Sequence, residues 1–299
     1  MHRWMLGLTL LATTCLALGV LAPEAGAGEA AITRVRDVIY GRKHGVVLTL
    51  DVFRPAQPSG IGVLFMVSGG WVSSHDAINE ALARPFLERG QTVFAVVHGS
   101  QPKYSIPEIL QDVERATRFV RYHAREYGVD PERLGIAGAS AGGHLSLMQG
   151  ARGRDGDPNA EDPVERVSSK VQAVACFFPP TDFLNYGTEG VNAIPLEMLK
   201  PYRAAFGAVP DEPAALARVA RETSPITYVT ANMPPTLILH GDADELVPIQ
   251  QSKRFIQRLE ALKVPCRLVT RAGQGHGWPT LGQDLTLLAE WFDQYLAAK

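Results

Sequence analysis

The sequence has no charge of one sign to spare. Twenty-nine Lys and Arg are set against 31 Asp and Glu over 299 residues, a net charge of −2. That leaves no basic field to gather nucleic acid or acidic lipid. Cysteine is scarce too, with three in the chain and none at metal-ligand spacing. Cys15 lies in an N-terminal apolar run, where Leu11-Ala12-Thr13-Thr14 before it makes a poor lipidation signal. Cys176 and Cys266 sit in separate strand-like runs, "VQAVACFF" and "CRLVTR", and are expected to be unpaired packing residues. No internal repeat or low-complexity tract is present. With 46% hydrophobic and 20% charged residues, disorder is excluded, and the length suffices for one large core.

The first residues stand apart from the fold. Met1-His2-Arg3-Trp4-Met5 is a short basic start, residues 6–22 are apolar without a charge, and Ala25-Gly26-Ala27 is a small-x-small site. This predicts a signal peptide over residues 1–27, export to a periplasmic or secreted location, and no stable membrane insertion after cleavage. The apolar run contains Thr13, Thr14 and Gly19 and is short for a bilayer span, which takes ~20 apolar residues.

From residue 35 onward, strand and helix patterns alternate. Residues 35–40 and 46–53 are predicted to pair as a hairpin through the turn "GRKHG". "GVLFMV" (62–67) and "TVFAVV" (92–97) are continuous apolar runs, as strands buried on both faces require. Strands are also expected at 133–138, 171–178, 236–241 and 266–270. Helices are expected near 77–89, 105–127 (closed by Gly128), from Ala141, and at 248–263 and 283–297. The pattern predicts a mostly parallel eight-stranded sheet covered on both faces. Two stretches interrupt it. In "RGRDGDPNAEDPVER" (152–166), Asp155-x-Asp157-x-Asn159 starts like a calcium loop, but Ala160 and Arg166 stand where that loop needs Gly and Glu, so a solvated surface loop is expected. Residues 183–224 are expected to form a small cap over the C-terminal edge of the sheet, where open α/β sheets bind ligands.

"GIAGASAGGHLSL" (135–147) places a glycine-rich turn between a predicted strand and a predicted helix. It lacks the lysine of a phosphate loop and the G-x-G spacing of a dinucleotide loop. It does fit G-x-S-x-G, with Gly138 and Gly142 around Ser140; such a turn strains the nucleophile outward while small residues let strand and helix approach. A serine hydroxyl needs a base to take its proton. "GQGHGWP" (273–279) supplies His276 after one strand, and "HGDADELVP" (240–248) supplies aspartates after another. Ser, then Asp, then His is the chain order of this fold's triad.

On "GASAGGH" (138–144), "HGDADELVP" and "GHGW" (275–278), residues 35–299 resemble the α/β-hydrolase superfamily. Within it they are similar to exported carboxylesterases of the hormone-sensitive-lipase and bacterial feruloyl/acetyl-esterase type. The resemblance implies a single α/β-hydrolase domain and a triad of Ser140, Asp244 and His276, with Asp242 and Asp182 as less favoured acids. It implies hydrolysis of small-molecule or carbohydrate esters through an acyl-enzyme on Ser140, with no metal or organic cofactor. A prolyl-oligopeptidase-type peptidase and a catalytically silent binding protein remain as alternatives. The family's H-G-G-G-W loop is Val67-Ser68-Gly69-Gly70-Trp71 here, without the His and first Gly. Gly70 and Ala141, with Gly69 beside them, are the expected oxyanion donors. Residues 98–113 begin His98-Gly99 where relatives usually have Tyr-Arg, which bears on substrate class. His98, Trp71 and Trp278 are the candidate substrate contacts, each with packing as the alternative. His144 is expected to be a buried hydrogen-bonding residue, and His240 an anchor for the loop of Asp244. The sequence sets no oligomeric state.

Overall fold

The apolar runs meant for burial on both faces lie at the centre of an eight-stranded sheet. The structure is a computed structural model and describes residues 32–298. The predicted signal peptide at 1–27, with Cys15, lies outside the described residues. Strands β1 (Thr33–Lys43) and β2 (Val46–Arg54) form the antiparallel hairpin. β3 (Gly60–Met66), β4 (Thr92–Val96), β5 (Val129–Ala139), β6 (Ala173–Phe177), β7 (Thr236–Gly241) and β8 (Cys266–Arg271) follow. The order across the sheet is β1-β2-β4-β3-β5-β6-β7-β8. β2 runs antiparallel to β4, and every later pairing is parallel. The chain passes from β3 outward to β4, then back across to β5. The switch point between β3 and β5 is where such sheets bind ligands, at the carboxyl ends of the strands.

Adjacent residues of β3 serve opposite layers, as a strand period of two requires. Leu64 and Met66 belong to the core layer shared with α2 (Ile106–His123), α3 (Ala141–Arg152) and α5 (Gln250–Ala261), to which Ile109, Val113, Leu145 and Phe255 contribute. Ile61 and Val63 pack with α1 (Glu80–Leu87) and α6 (Leu281–Leu296), through Phe86, Leu285 and Phe292. Burying one such side chain contributes about 1.5–3 kcal/mol. Phe292 rests on β5 so closely that a Cβ at Gly135 would lie 2.5 Å from its ring.

Local chemistry sets the ends of these elements, and shifts some predicted bounds. α2 starts at a capping box in which Ser105 N–H donates to Glu108 Oε2 at 2.8 Å. It ends at His123, and a 3-10 turn, Ala124–Tyr127, carries the chain to Gly128 at φ +72°. The helix expected near 77 starts at Glu80 instead, capped by Asn79, whose Oδ1 accepts the Ala81 N–H at 2.9 Å. β5 begins at Val129, earlier than its apolar core suggests, because Val129 pairs with Gly60. Between β6 and β7 lie a 3-10 helix, Glu197–Phe206, and α4 (Pro213–Thr223). Phe183 and Phe206 of this stretch pack edge to face at 5.0 Å, and both meet the Trp71 ring, which brings the segment over the loop after β3. Cys176 is buried and Cys266 half-buried, both as free thiols. Among the described residues no helix is long and apolar enough to cross a membrane.

Candidate active site

Ser140 stands between the last residue of β5 and the first of α3 with φ +53° and ψ −118°. A non-glycine residue is strained at that φ, and the surrounding chain must hold it there. Two contacts do so: Ser140 N–H donates to Phe177 O at 3.0 Å, and Ser140 O accepts the His144 N–H at 2.8 Å. Strand and helix approach so closely that a Cβ on Gly138 would lie 2.5 Å from Gly142 C. One on Gly142 would lie 2.6 Å from Met66 O. The G-x-S-x-G spacing is therefore a steric requirement of this turn.

The base and its orienter arrive from the ends of β7 and β8. His276 Nε2 lies 2.8 Å from Ser140 Oγ, and His276 Nδ1 lies 2.8 Å from Asp244 Oδ2. A carboxylate only accepts, so Nδ1 carries the proton and Nε2 offers its lone pair to the serine hydroxyl. Asp244 is buried, and its Oδ1 accepts the N–H groups of Leu246 at 3.0 Å and Val247 at 2.9 Å. Burial alone pushes this carboxyl up, but hydrogen bonds from His240, His276 and the Val247 amide outweigh it and hold the group well below the usual carboxylate range. His240 is the loop anchor expected of it. Its Nε2–H serves Val247 O at 2.7 Å and approaches Asp244 Oδ2 at 3.2 Å, while Nδ1 accepts from Ser252 Oγ at 2.7 Å. The alternative acids are engaged elsewhere: Asp242 accepts the Gly273 N–H at 2.6 Å, and Asp182 pairs with Arg254 at 3.3 Å.

A cavity of about 410 Å³ opens at Ser140 and His276. Gly70, Ala141 and Trp71 line it beside the serine. Phe183, Tyr186, Leu199 and Tyr202 wall it from the segment between β6 and β7, and Leu246 from the Asp244 loop. No protein acceptor among the described residues takes the N–H of Gly70 or of Ala141. Ala141 is the first residue of α3, where the helix leaves its N–H groups unpaired. Gly70 sits at φ +54°, and a Cβ there would lie 2.5 Å from Tyr202 Cε1, so both conformation and the overlying ring demand glycine.

Three expected contacts are corrected. The Gly69 N–H is committed to Val72 O at 3.0 Å, because the loop closes on itself there, and it is not a free oxyanion donor. Trp278 does not line the cavity; its ring packs on Phe177 and Phe178 and its Nε1–H donates to Asp284 at 2.7 Å. His98 is buried away from the cavity, with Nδ1–H on Gly99 O at 2.6 Å, and burial lowers its pKa to about 4. Trp71 does line the cavity, and its Nε1–H donates to His144 Nδ1 at 3.2 Å. His144 in turn donates from Nε2 to Thr223 O at 2.7 Å; fully buried, it stays neutral, pushed down to about 4. In the stretch 98–113, Asp112 finds its cation in Lys43 of β1, at 2.7 Å, and accepts the Gly99 N–H at 3.0 Å. Sequence reading missed Phe178, which holds φ +35° and places its ring 4.5 Å from that of His276. It also left the aromatics of 183–224 unassigned, since nothing local says which way they face.

Among the described residues, one cluster brings three metal-type ligand atoms within 4.8 Å of one another: Asp37, Asp51 and His75. Asp51 is already paired with Arg34 at 2.6 Å, and none of the three lines the Ser140 cavity. In the loop that starts like a calcium site, Asp155 pairs with Lys170 at 2.7 Å.

The comparisons agree with this architecture. The BD-FAE family model matches residues 50–259. A probable carboxylic ester hydrolase of Mycobacterium tuberculosis, LipM, is 31% identical over 231 residues, covering 75% of this chain and 51% of that protein. The chain spans about half to three fifths of the length of the first curated relatives it matches. Among solved structures, a truncated carbohydrate esterase from gut microbiota superposes with a TM-score of 0.77 at 25% identity, over 91% of this chain and 99% of that one. Esterase 2 of Thermogutta terrifontis, phosphorylated by paraoxon, gives 0.66 at 25% identity, over 91% and 97%. A strained serine between β5 and α3, a histidine and a buried aspartate at later strand ends, and a family match across most of the sheet converge on one assignment: this chain is an α/β-hydrolase belonging to the BD-FAE family.

Proposed function

We propose that this chain is a serine hydrolase that cleaves carboxylic esters through an acyl-enzyme on Ser140. The observation that carries the reading is the unbroken line from Ser140 Oγ through His276 to Asp244, at 2.8 Å and 2.8 Å, opening on a cavity lined by two unpaired backbone N–H groups. As Oγ attacks the acyl carbon, its proton passes to His276 Nε2, and the ionised Asp244 stabilises the resulting imidazolium. The carbonyl oxygen becomes an oxyanion facing Gly70 and Ala141 N–H, whose orientation is set before reaction. Collapse breaks the ester C–O bond, and His276 returns the proton to the leaving alkoxide. Water then repeats the attack on the acyl-enzyme, with His276 again as base, releasing the carboxylic acid and restoring the Ser140 hydroxyl.

The cavity walls favour small apolar or ring-shaped ester groups. Trp71, Phe183, Tyr186 and Tyr202 present aromatic surface, on which a sugar ring or an aryl group stacks as well as an alkyl chain does. An acylated carbohydrate substrate is supported by this lining and by the likeness to a carbohydrate esterase. The test is turnover of p-nitrophenyl esters of increasing acyl length and of acetylated xylan, wild type beside Ser140→Ala. Turnover of short esters, reduced at least about 10⁴-fold by the substitution, is expected. Folded wild-type protein with no turnover and no fluorophosphonate adduct on Ser140 would overturn the reading; turnover of simple esters without acetate release from xylan would remove the carbohydrate part alone.

A further inference from the structure

The loop after β3, Val67–Trp71, and the segment from His98 after β4 meet in space. The loop after β3 receives little support from behind. There an apolar cavity of about 250 Å³ adjoins it, lined by Val67, Ser68 and Gly69 together with Ile78, Leu82 and Leu281. Ser68 Oγ is buried in that region without a hydrogen-bond partner.

Support comes from the segment after β4. Gln101 N–H donates to Trp71 O at 3.1 Å. Gln101 Nε2 donates to Gly70 O at 3.0 Å and approaches Pro201 O, in the segment over the cavity, at 3.3 Å. One residue thus holds the carbonyls of two successive residues that both lie at positive φ, +54° for Gly70 and +60° for Trp71. Glycine takes this conformation without steric cost, but Trp71 is strained there and must be held by its surroundings. The ends of the loop are tied separately. Ser73 Oγ donates to Val67 O at 2.5 Å, and Ser73 N–H donates to Ser100 Oγ at 2.8 Å. In the middle, Gly69 and Val72 close the turn on each other at 3.0 and 2.9 Å, and Gln101 holds the Gly70 and Trp71 carbonyls between them, where the Gly70 N–H is presented to the cavity.

We propose that Gln101 is a positioning residue of the oxyanion loop, holding the carbonyls of Gly70 and Trp71 and linking that loop to the segment above it. The proposal rests on the ester-hydrolase reading. Gln101 touches no reacting atom; it acts by fixing the turn that aims the Gly70 N–H. Losing an oxyanion donor outright costs about 10²–10³ in kcat, and a donor left in place but loosened costs part of that.

The test compares kcat and KM for p-nitrophenyl acetate in Gln101→Ala and Gln101→Glu, the second keeping the volume but losing the amide donor. Each is expected to lower kcat by about 10- to 100-fold with KM within about threefold of wild type, since the interaction is used most in the transition state. An unchanged kcat in both Gln101 variants overturns the proposal. So does a raised KM at constant kcat. Should Gln101→Ala fail to fold, Gln101→Glu decides on the same criteria. Wild-type protein without turnover or fluorophosphonate adduct would overturn the ester-hydrolase reading and this proposal with it, whereas active wild type with indifferent Gln101 variants sinks this proposal alone.

Discussion

Asp244→Asn isolates what the third member of the Ser140 line does. Every proton-donating neighbour of this carboxylate points at it: Leu246 and Val247 N–H at Oδ1, and His276 Nδ1–H and His240 Nε2–H at Oδ2. An asparagine of the same shape must place its NH₂ against one of these pairs. With its oxygen kept toward Leu246 and Val247, the amide faces His276 Nδ1 and drives the imidazole to the other tautomer. His276 Nε2 then carries the proton and presents it to Ser140 Oγ, so the base cannot act. The expected loss is about 10⁴ in kcat, equal to about 5.4 kcal/mol of barrier. KM stays within about threefold, since Asp244 does not line the cavity. The assay is steady-state hydrolysis of p-nitrophenyl acetate, with circular dichroism confirming the fold, and Asp242→Asn and Asp182→Asn measured in parallel. A kcat for Asp244→Asn within tenfold of wild type would refute the reasoning. A large loss in Asp242→Asn or Asp182→Asn alone would move the orienting role to that residue.

Two further outcomes follow from packing and burial. Gly142→Ala puts a Cβ 2.6 Å from Met66 O, a backbone atom that cannot swing aside, so β3 and α3 must part. The expected cost is about 1–3 kcal/mol of stability together with reduced kcat, and a variant with unchanged Tm and turnover would show that the approach is not tight. His98 and His144 are buried neutral, both lowered from an ordinary 6.5 to about 4. Between those values the unfolded chain binds protons that the folded one refuses. Stability therefore falls as pH drops from about 6.5 to about 4, by up to about 1.4 kcal/mol per pH unit for each imidazole, and this slope ends once the folded state protonates too. A urea midpoint constant across that interval would contradict their burial as neutral rings.

Ser140 and His276 could be named without coordinates from signals that act within a few residues, while the choice of Asp244 over Asp242 and Asp182 rested on the resemblance of "HGDADELVP" to a family motif. Gly138 and Gly142 are required by one tight turn, and the "HGDADELVP" and "GQGHGWP" loops each follow an apolar strand whose end is marked locally. The same locality made the eight strands readable, since runs such as "TVFAVV" carry their burial in their own composition. What the sequence could not decide is anything that depends on which side chain meets which across the molecule. Trp71 and Trp278 look alike as candidates, yet one lines the cavity and the other is held by Asp284 against Phe177. Gly69 and Gly70 are neighbours of one kind, and only the closure of the loop onto Val72 shows that one N–H is spent and the other free. His98 precedes the loop-bracing residues by a few positions but turns inward, while Gln101 reaches Gly70, 31 residues earlier in the chain. Motifs are written in spacing along the chain; the cavity, its donors and their supports arise from contacts between segments far apart in sequence, and those exist only once the sheet has brought β3, β5, β7 and β8 side by side.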